Sequence, residues 1–422
     1  MRGPDLPASG EVDVAIVGAG AAGLSAARRL LDLRPGLQVL VLEAAARPGG
    51  RALTIQNAEI GAPLDLGCGW LHGAEDNPWL GVAERLGFSI DRTPAPWDVQ
   101  HRNLGFSPEE QKDYERTAAA FYKRMAEAQQ EPVDRSLASL LLPGDPWNGL
   151  LNAVSTYVSG AELDEASIHD TAHYKVHGSD WRVVEGHGRT VTQFGAGLPI
   201  ALNAPVSKID HGWAGQVWLE TARGTLRARA AIVTVPTNVL AAEAVRFDPP
   251  LPDKVAAAQG LPLGLANKVF LRLDTPEEFP KDAHLIGNPR ASRTGAYHLR
   301  PFGRPVIEGY FGGTLARALE KEGDAAAEAF ALDELVALLG EGFRKRARLL
   351  VCTTWGNMPT IGGSYAVARP GSAGQRAVLA APVNDRLFFA GEATSPDAFT
   401  TARGAHASGL TAAEQALALL RP

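Results

Sequence analysis

The chain has 422 residues, of which 45% are hydrophobic and 21% are charged. This is the composition of an ordinary globular protein, and it excludes a collagen-like or a disordered chain. The net charge of -6 gives no general attraction to nucleic acid or to an anionic membrane, so we expect neither as a partner. Because the length exceeds that of the usual single hydrophobic core, we expect two domains.

Cysteine content and the first residues bear on the cellular compartment. The two cysteines, Cys68 and Cys352, lie far apart and form no metal or redox motif. So few cysteines fit a reducing compartment. Residues 1–10 hold no apolar core of signal-peptide length. We therefore expect a cytoplasmic protein, while the sequence does not indicate an oligomeric state.

The first predicted strand–turn–helix carries a glycine motif. An apolar run from Val12 to Val17 ends in G-x-G-x-x-G, formed by Gly18, Gly20 and Gly23, and an alanine-rich helical stretch follows. The first glycine of this motif makes a tight turn, the second admits a pyrophosphate, and the third lets helix and strand pack closely. We expect the phosphates at the helix N-terminus, where free N–H groups and the helix dipole favour negative charge.

A second buried strand is predicted over residues 38–42, and it ends in Glu43. Glu43 lies twenty positions after Gly23, where the ribose of a dinucleotide requires a hydrogen-bond acceptor. An acid there disfavours the 2′-phosphate of NADP, so NAD or FAD is expected. The turn that follows contains Arg47 and Arg51, whose guanidinium groups are suited to phosphate contacts.

The segment from residue 77 to residue 181 has a more helical pattern. Ser107 and Pro108 are typical of a helix start. The helix is predicted to bury one face, formed by Tyr114, Ala118, Phe121, Tyr122 and Met125. His169, His173 and His177 would share a helical face, yet no acid completes an H-E-x-x-H pattern, so we expect no metal site.

Strands return after residue 186. A strand is predicted over residues 206–209, a hairpin over 216–229 and a separate buried strand over 231–236. Lys268 lies in an alternating strand over residues 266–273, and alternation alone indicates a lysine that faces solvent. A periodic helix is predicted over residues 324–340.

The C-terminal block predicts a second strand–turn–helix. A buried strand over residues 386–390 runs into a glycine–acid turn at Gly391 and Glu392, and a final helix extends from Thr401 to Leu420. Reduction of an isoalloxazine ring builds negative charge near its N1–C2=O edge, and a helix start stabilises charge there. This second unit favours FAD over NAD.

Together these residues resemble the flavin-dependent amine oxidases, the family of monoamine oxidases, polyamine oxidases and LSD-type histone demethylases. The resemblance extends along the whole chain. It rests on Gly18-x-Gly20-x-x-Gly23 with Glu43, Gly49-Gly50-Arg51, Asp65-Leu66-Gly67, Asn267-Lys268-Val269, Gly363-Ser364-Tyr365 and Ala390-Gly391-Glu392-Ala393-Thr394. Trp70-Leu71-His72-Gly73, followed by Asn77-Pro78, is most similar to the polyamine and spermine oxidases.

The resemblance implies an α/β fold with a Rossmann-like FAD-binding domain of the GR2 type and an inserted α+β substrate-binding domain. The FAD-binding domain is expected over residues 1–76, 182–260 and 356–422. The substrate-binding domain is expected over residues 77–181 and 261–355.

The resemblance also implies roles for individual residues. Lys268 matches the lysine that holds a water molecule near flavin N5, which reverses the expectation from alternation. Tyr365 matches one wall of the aromatic cage around the substrate amine. Gly69 and Trp70 match the segment along the flavin ring, and His72 matches a histidine that faces the substrate channel.

Two of the departures from the family pattern affect the flavin link and the aromatic cage. Ser364 stands where monoamine oxidases carry the cysteine that binds FAD covalently, so we expect non-covalent FAD. Thr401 stands where a second cage tyrosine is usual, as in the demethylases. The cage is therefore either half open or completed by another aromatic residue such as Trp355.

The site residues expected from these arguments fall into two sets. The catalytic set is Lys268, Tyr365, Trp70, His72, Trp355 and Thr401. The FAD-binding set is Gly18, Ala19, Gly20, Ala22, Gly23, Glu43, Ala44, Gly49, Gly50, Arg51, Gly67, Cys68, Gly69, Trp70, Pro205, Val206, Gly391, Glu392, Thr401 and Ala402.

The implied reaction oxidises a small amine, either a polyamine or another primary or secondary amine. Hydride passes to flavin N5, water hydrolyses the imine, and O2 reoxidises the flavin to give hydrogen peroxide. An L-amino-acid oxidase, in which Arg182 or Arg300 would hold the substrate carboxylate, and an N-methyl-lysine demethylase are the alternatives. A flavin-binding scaffold without chemistry is a third, which the presence of both Lys268 and Tyr365 disfavours.

Overall fold

Short apolar, β-branched runs along the chain form strands that assemble into two main sheets. The computed structural model describes residues 10–420. The strands are β1 (Glu11–Val17), β2 (Val39–Leu42), β3 (Thr54–Asn57), β4 (Ala62–Asp65), β5 (Ile90–Asp91), β6 (Arg182–Val183), β7 (Ile200–Ala201), β8 (Val206–Asp210), β9 (Val217–Thr221), β10 (Gly224–Val233), β11 (Arg246–Asp248), β12 (Leu263–Gly264), β13 (Ala266–Leu273), β14 (Ala283–Ile286), β15 (Ala296–Leu299), β16 (Val306–Gly312), β17 (Ala347–Cys352), β18 (Tyr365–Ala366) and β19 (Leu387–Phe389).

Helices cover the first sheet, and three of them, α3 to α5, lie in the segment between β5 and β6. The helices are α1 (Ala21–Leu33), α2 (Pro78–Arg85), α3 (Pro108–Ala128), α4 (Asn148–Ser159), α5 (Ile168–Ala172), α6 (His187–Phe194), α7 (Thr237–Ala241), α8 (Pro252–Gly260), α9 (Gly313–Glu322), α10 (Asp324–Leu339), α11 (Gln375–Ala380) and α12 (Ala402–Leu419). Within residues 10–420 no helix is both long enough and apolar enough to cross a bilayer.

The first sheet brings the two ends of the chain together. Its strand order is β11-β8-β9-β10-β1-β2-β7, and β19 pairs with β10. Strands β1, β2, β10 and β19 run parallel. Because the carboxyl ends of parallel strands share one edge of a sheet, the turns after β1, β2 and β19 converge there.

The second sheet is antiparallel, with the order β14-β15-β16-β13-β17. In this sheet Lys268 of β13 lies opposite Tyr310 of β16, and Phe270 lies opposite Glu308. A mixed, mainly parallel sheet with covering helices and a separate antiparallel sheet confirm the predicted α/β class with an α+β insertion. The residue boundaries of the two domains stay a prediction.

The helices show where periodicity alone succeeds and fails. Helix α3 begins at Pro108, as predicted, and the structure adds a capping box in which the Ser107 hydroxyl accepts from the Glu110 backbone N–H. Phe121 is buried on its inner face, but Tyr122 is 50% exposed, so its assignment to the core is wrong. Tyr122 directly follows Phe121 in the helix, about 100° further round the axis, and so points to another side.

Two other expectations need correction. The strands predicted separately over 225–229 and 231–236 are one strand, β10, whose first half pairs with β9 and whose second half pairs with β19. Helix α5 ends at Ala172, so His169, His173 and His177 do not share one helical face. Among the described residues, no group of three or more His, Cys, Asp or Glu side chains could hold a metal ion.

Candidate active site

The glycine motif has the predicted geometry. Gly18 has φ +105°, and a Cβ atom there would lie 2.6 Å from Thr234 Oγ1. A Cβ atom at Gly23 would overlap the Gly18 carbonyl oxygen, so α1 packs directly on the turn. At Gly20 a Cβ atom would have no heavy atom within 4 Å and would project into a cavity that this residue lines. The second glycine therefore keeps space open beside the start of α1.

Glu43 follows β2 and faces the same cavity. Its carboxylate accepts hydrogen bonds from the backbone N–H groups of Ala19 and Ala45, both at 2.7 Å. The residue is 7% exposed, and these two donors satisfy part of its hydrogen-bonding capacity. The remaining lone pairs are available to hydroxyl donors in the cavity.

Arg51 and Glu392 connect the N-terminal and C-terminal parts of the site. Arg51 Nη1 donates to Glu392 Oε1 at 2.8 Å and to the Ser364 carbonyl oxygen at 2.6 Å. Glu392 Oε2 accepts from the Thr400 N–H at 3.0 Å. The guanidinium predicted to contact phosphate is thus committed, at least in part, to a carboxylate of the protein.

The large cavity has a volume of about 500 Å³ and lies at the carboxyl edge of the first sheet. It is lined by residues from both sheets. The predicted site residues among them are Gly18, Gly20, Ala22, Glu43, Ala44, Gly49, Gly50, Arg51, Gly67, Cys68, Pro205, Val206, Lys268, Trp355, Tyr365, Gly391, Glu392, Thr401 and Ala402.

Lys268 is a buried cation in the wall of this cavity. The residue is 8% exposed, which contradicts the solvent-facing position indicated by alternation. Its Nζ atom lies 2.8 Å from Glu308 Oε1 and donates to the Asp65 carbonyl oxygen at 2.8 Å. The same Nζ atom is 5.2 Å from the centroid of the Tyr310 ring. A nearby acid and an aromatic face thus compensate the burial of the ammonium.

The charge states of this group follow from its contacts. Burial, the largest single effect, lowers the pKa of Lys268, but Glu308, Tyr310 and Asp65 together outweigh it, and the Lys268 pKa is raised. Burial is likewise the largest effect on Glu308 and raises its pKa, but the Lys268 charge and hydrogen bond, with His298 and the Tyr310 hydroxyl, together lower that pKa. At neutral pH the pair is therefore an ammonium and a carboxylate.

Aromatic side chains form the wall near Lys268. Tyr365 and Tyr310 line the cavity, and burial raises the pKa of both phenols, so both remain neutral. Trp355 also lines it, and its indole N–H donates to the Leu66 carbonyl oxygen at 3.2 Å. The Thr401 hydroxyl instead caps α12, accepting from the Gly404 N–H at 2.9 Å. Trp355 is thus on the cavity wall, as expected for an alternative cage residue.

Some predicted residues lie outside the large cavity. Ala19 and Gly23 support its floor through the Glu43 hydrogen bond and the packing of α1. Gly69 and Trp70 line a separate cavity of about 30 Å³. His72 lines neither cavity, because its ring pairs with Asp180 at 2.8 Å and its side chain is 40% exposed.

Sequence reasoning missed Glu308 and Tyr310. An acid within the apolar run of β16 was a signal, since a buried carboxylate requires a partner. The register that places it beside Lys268 is a long-range pairing and could not be obtained from one sequence. Thr353, whose hydroxyl accepts from the Lys268 backbone N–H at 2.8 Å, was missed for the same reason.

The residues fit a flavin dinucleotide. The glycine turn and the Gly20 opening suit a pyrophosphate, and the buried Glu43 carboxylate suits ribose hydroxyls. The cavity continues to an apolar wall at the second sheet, where a ring system would meet Tyr365 and Lys268. Its volume falls within the range of cofactor pockets.

Comparison with known proteins agrees with this geometry. The family model described as "Flavin containing amine oxidoreductase" matches residues 21–141 and 107–417. Polyamine oxidase 2 of Arabidopsis thaliana is 31% identical, over 95% of this chain and 87% of its own length. Lysine-specific histone demethylase 1 homolog 2 of Oryza sativa subsp. japonica is 32% identical over 98% of this chain, which spans only 58% of that relative.

Two solved structures share the fold. Putrescine oxidase bound to putrescine has a TM-score of 0.78 at 21% identity, with 97% of this chain and 99% of that chain covered. Cyclohexylamine oxidase from Brevibacterium oxydans IH-35A has a TM-score of 0.77 at 23% identity, with 99% and 100% covered. With the family match along most of its length and relatives above 30% identity, the chain belongs to the flavin-containing amine oxidoreductases and is an FAD-dependent amine oxidase.

Proposed function

We propose that this enzyme oxidises an aliphatic polyamine or a comparable primary or secondary amine, with non-covalent FAD and with O2 as the electron acceptor. The observation that carries the proposal is the buried Lys268 in an aromatic wall of the large cavity. The names of relatives such as Polyamine oxidase 2 support the polyamine class. A cytoplasmic location, expected from the low cysteine content, belongs to the same proposal.

The aromatic wall selects the neutral amine. When bound, flavin supplies a two-electron oxidant that takes hydride from the carbon next to nitrogen. A protonated amine releases hydride poorly because its lone pair is occupied. Tyr365, Tyr310 and Trp355 offer an apolar surface, and burial there disfavours the ammonium form of the substrate. These side chains also orient the amine in the cavity.

Lys268 positions water in this proposal. An ammonium has three N–H donors, and the described structure engages two of them, with Glu308 and the Asp65 carbonyl oxygen. The third is available to a water molecule in the cavity. Such a water would lie beside the flavin atom that accepts hydride, so its loss would slow flavin reduction, and it could then hydrolyse the oxidised amine.

The absence of a covalent flavin link is supported by two side chains. Ser364, at the position of the linking cysteine, has its hydroxyl engaged with the Ala266 carbonyl oxygen at 2.8 Å. Cys68 lines the cavity, but burial raises its thiol pKa to about 12, so it is not a thiolate nucleophile at neutral pH. Acid precipitation of the protein should therefore release all flavin into the supernatant. Flavin that stays with the pellet would contradict non-covalent binding.

A screen for peroxide release tests the substrate class. Polyamines, short primary and secondary amines, and L-amino acids are supplied to the flavin-loaded enzyme, and initial rates are compared. The proposal predicts the highest kcat/KM for a polyamine or other aliphatic amine. An amino-acid oxidase is disfavoured because Arg182 is held by Asp91 and Asp282, each at 2.8 Å. An L-amino acid as the best substrate would overturn the proposal.

Demethylation of N-methyl-lysine is the second candidate. It is favoured by the 32% identity to a histone demethylase homolog and by Thr401 at the position of the second cage tyrosine. A methylated histone-tail peptide compared with spermidine in the same peroxide assay separates the two functions. Faster turnover of the peptide would favour demethylation.

A further inference from the structure

Glu308 is the feature that the proposed function leaves unused. It lies in β16, diagonally across from Lys268 of β13. The Glu308 side chain is 14% exposed and that of Lys268 is 10% exposed. Glu308 Oε1 contacts Lys268 Nζ at 2.8 Å and accepts the Tyr310 hydroxyl at 2.7 Å. One carboxylate oxygen therefore joins two side chains that line the cavity.

We infer that Glu308 is a positioning residue that keeps Lys268 as a fixed ammonium at the cavity wall, so that Lys268 acts as a hydrogen-bond donor and never as a proton acceptor. This inference rests on the proposed role of Lys268 in amine oxidation. It assigns the deprotonation of the substrate ammonium to solvent or to another group, because a lysine already protonated cannot take that proton.

Electrostatics of the surrounding elements support the inference. The groups that face the pair are Asp65, Cys68, His187, His298, Arg304, Tyr310 and Tyr365. Among them, burial raises the pKa of Asp65 and lowers the pKa of His187 to about 3. Burial therefore disfavours the charged form of both side chains. Glu308, whose carboxylate lies 2.8 Å from Nζ, is thus the main negative charge that stabilises the Lys268 ammonium. Without it, the ammonium would be buried without its ion-pair partner, and its neutral form would be favoured.

Glu308→Gln in the flavin-loaded enzyme tests this directly. Two quantities are followed against pH: the anaerobic rate of flavin reduction by an amine, and the absorption spectrum of the bound flavin without substrate. The variant should show a new inflection between about pH 7 and 10 in both, as Lys268 loses its proton. Tyr310→Phe, which removes a hydrogen bond but keeps the carboxylate, is the matched control and should show no such inflection.

A double-variant cycle shows whether Glu308 acts through Lys268. In a Lys268→Met background, Glu308→Gln should add no new inflection and should change the rate by less than about twofold, because its partner is gone. An inflection that persists in that background, or a Glu308→Gln profile that matches the wild type, would overturn the inference.

Two further readouts distinguish a failure of this inference from a failure to fold and from a failure of the proposed function. If Glu308→Gln fails to fold, the double variant Lys268→Met/Glu308→Gln, which removes both charges, should recover folded protein. If the single and the double variant are unfolded to the same extent, Glu308 does not act through Lys268. If no amine reduces the wild-type flavin, the proposed function fails, yet the substrate-free spectral titration still decides the role of Glu308.

Discussion

At the residue scale, Lys268 shows how a strand can carry a charge into an apolar wall. Six of the eight residues of β13 are buried, Lys268 among them, and the other two, Ala266 and Arg272, are partly exposed. Removing a lysine from water is tolerated when an opposite charge and good hydrogen bonds replace the solvent. Glu308 and the Asp65 carbonyl oxygen supply both at 2.8 Å.

The proposed role of Lys268 predicts the phenotype of Lys268→Met. Methionine preserves much of the side-chain volume but removes the donor that holds water, so the rate of flavin reduction should fall by about 100-fold. Flavin should remain bound. The measurement is anaerobic stopped-flow reduction by the preferred amine. Arg272→Met, in the same strand but 38% exposed, is the control and should stay within about twofold of wild type. A near-wild-type rate for Lys268→Met would contradict the role.

Glu43→Gln tests the dinucleotide interpretation at a single residue. An amide keeps the size of the side chain but loses the charge and one acceptor oxygen, while the backbone donors of Ala19 and Ala45 remain. Losing a hydrogen bond to a charged group of this kind should weaken FAD binding about ten- to hundredfold. Titration of the apoprotein with FAD measures the affinity. Glu115→Gln, at an exposed position, is the control. Unchanged affinity would show that Glu43 does not contact the cofactor.

At the element scale, a substitution in the first strand–turn–helix should weaken FAD binding without changing the stability of the fold. Gly20 has φ -75°, which alanine adopts without strain, and its Cβ would project only into the cavity. Gly20→Ala should therefore leave the free energy of unfolding within about 0.5 kcal/mol of wild type. FAD affinity should fall at least about tenfold, because the methyl group occupies the space for the pyrophosphate.

Gly36→Ala is the matched control for that substitution. A Cβ at Gly36 also meets no heavy atom within 4 Å, but this glycine lies in an exposed turn that does not line the cavity. Its effect on FAD affinity should be negligible. If both variants bind FAD equally well, the cavity beside Gly20 is not the pyrophosphate site.

Helices α5 and α11 are joined by a buried ion pair. Arg376 contacts both carboxylate oxygens of Asp170 at 2.7 Å, and it also donates to the carbonyl oxygens of Ala366 and Ala393 near the cavity. Arg376→Met leaves the Asp170 carboxylate buried without its partner. We expect a loss of about 3–5 kcal/mol in the free energy of unfolding, measured by denaturant titration.

A surface pair provides the comparison for Arg376. Arg29 and Glu414 join α1 to α12, but their side chains are 38% and 52% exposed. Arg29→Met should therefore cost at most about 1 kcal/mol. Equal losses for the two variants would mean that burial does not determine the strength of the Arg376 pair.

At the scale of the whole molecule, the cavity exists because the chain ends meet. Strand β19 pairs with β10, and the Arg51–Glu392 contact joins the turn after β2 to the turn after β19. These two strand–turn–helix units were predictable, because glycine spacing, a terminal acid and apolar runs are local signals. The α/β class followed from them and from the family resemblance, and so did most of the residues that line the cavity; their contacts with FAD stay a prediction.

The cavity wall around Lys268 was predictable only in part. Lys268 and Tyr365 were identified through the resemblance, since alternation alone placed the lysine in solvent. Glu308 and Tyr310 were missed because the pairing of β13 with β16 depends on tertiary packing that no local pattern records. His72 pairs with Asp180, a residue more than a hundred positions away, and its place at the substrate channel stays a prediction.

The central claim is that FAD in this cavity is reduced by an amine held against Lys268 and the aromatic wall. Anaerobic addition of spermidine, and in parallel of a simple aliphatic amine, to the purified flavoprotein tests it most directly. The account predicts that the oxidised-flavin absorption of the wild type bleaches in one turnover, and that Lys268→Met bleaches about 100-fold more slowly. Flavin that stays oxidised with every amine, or equal bleaching of the two proteins, would contradict it.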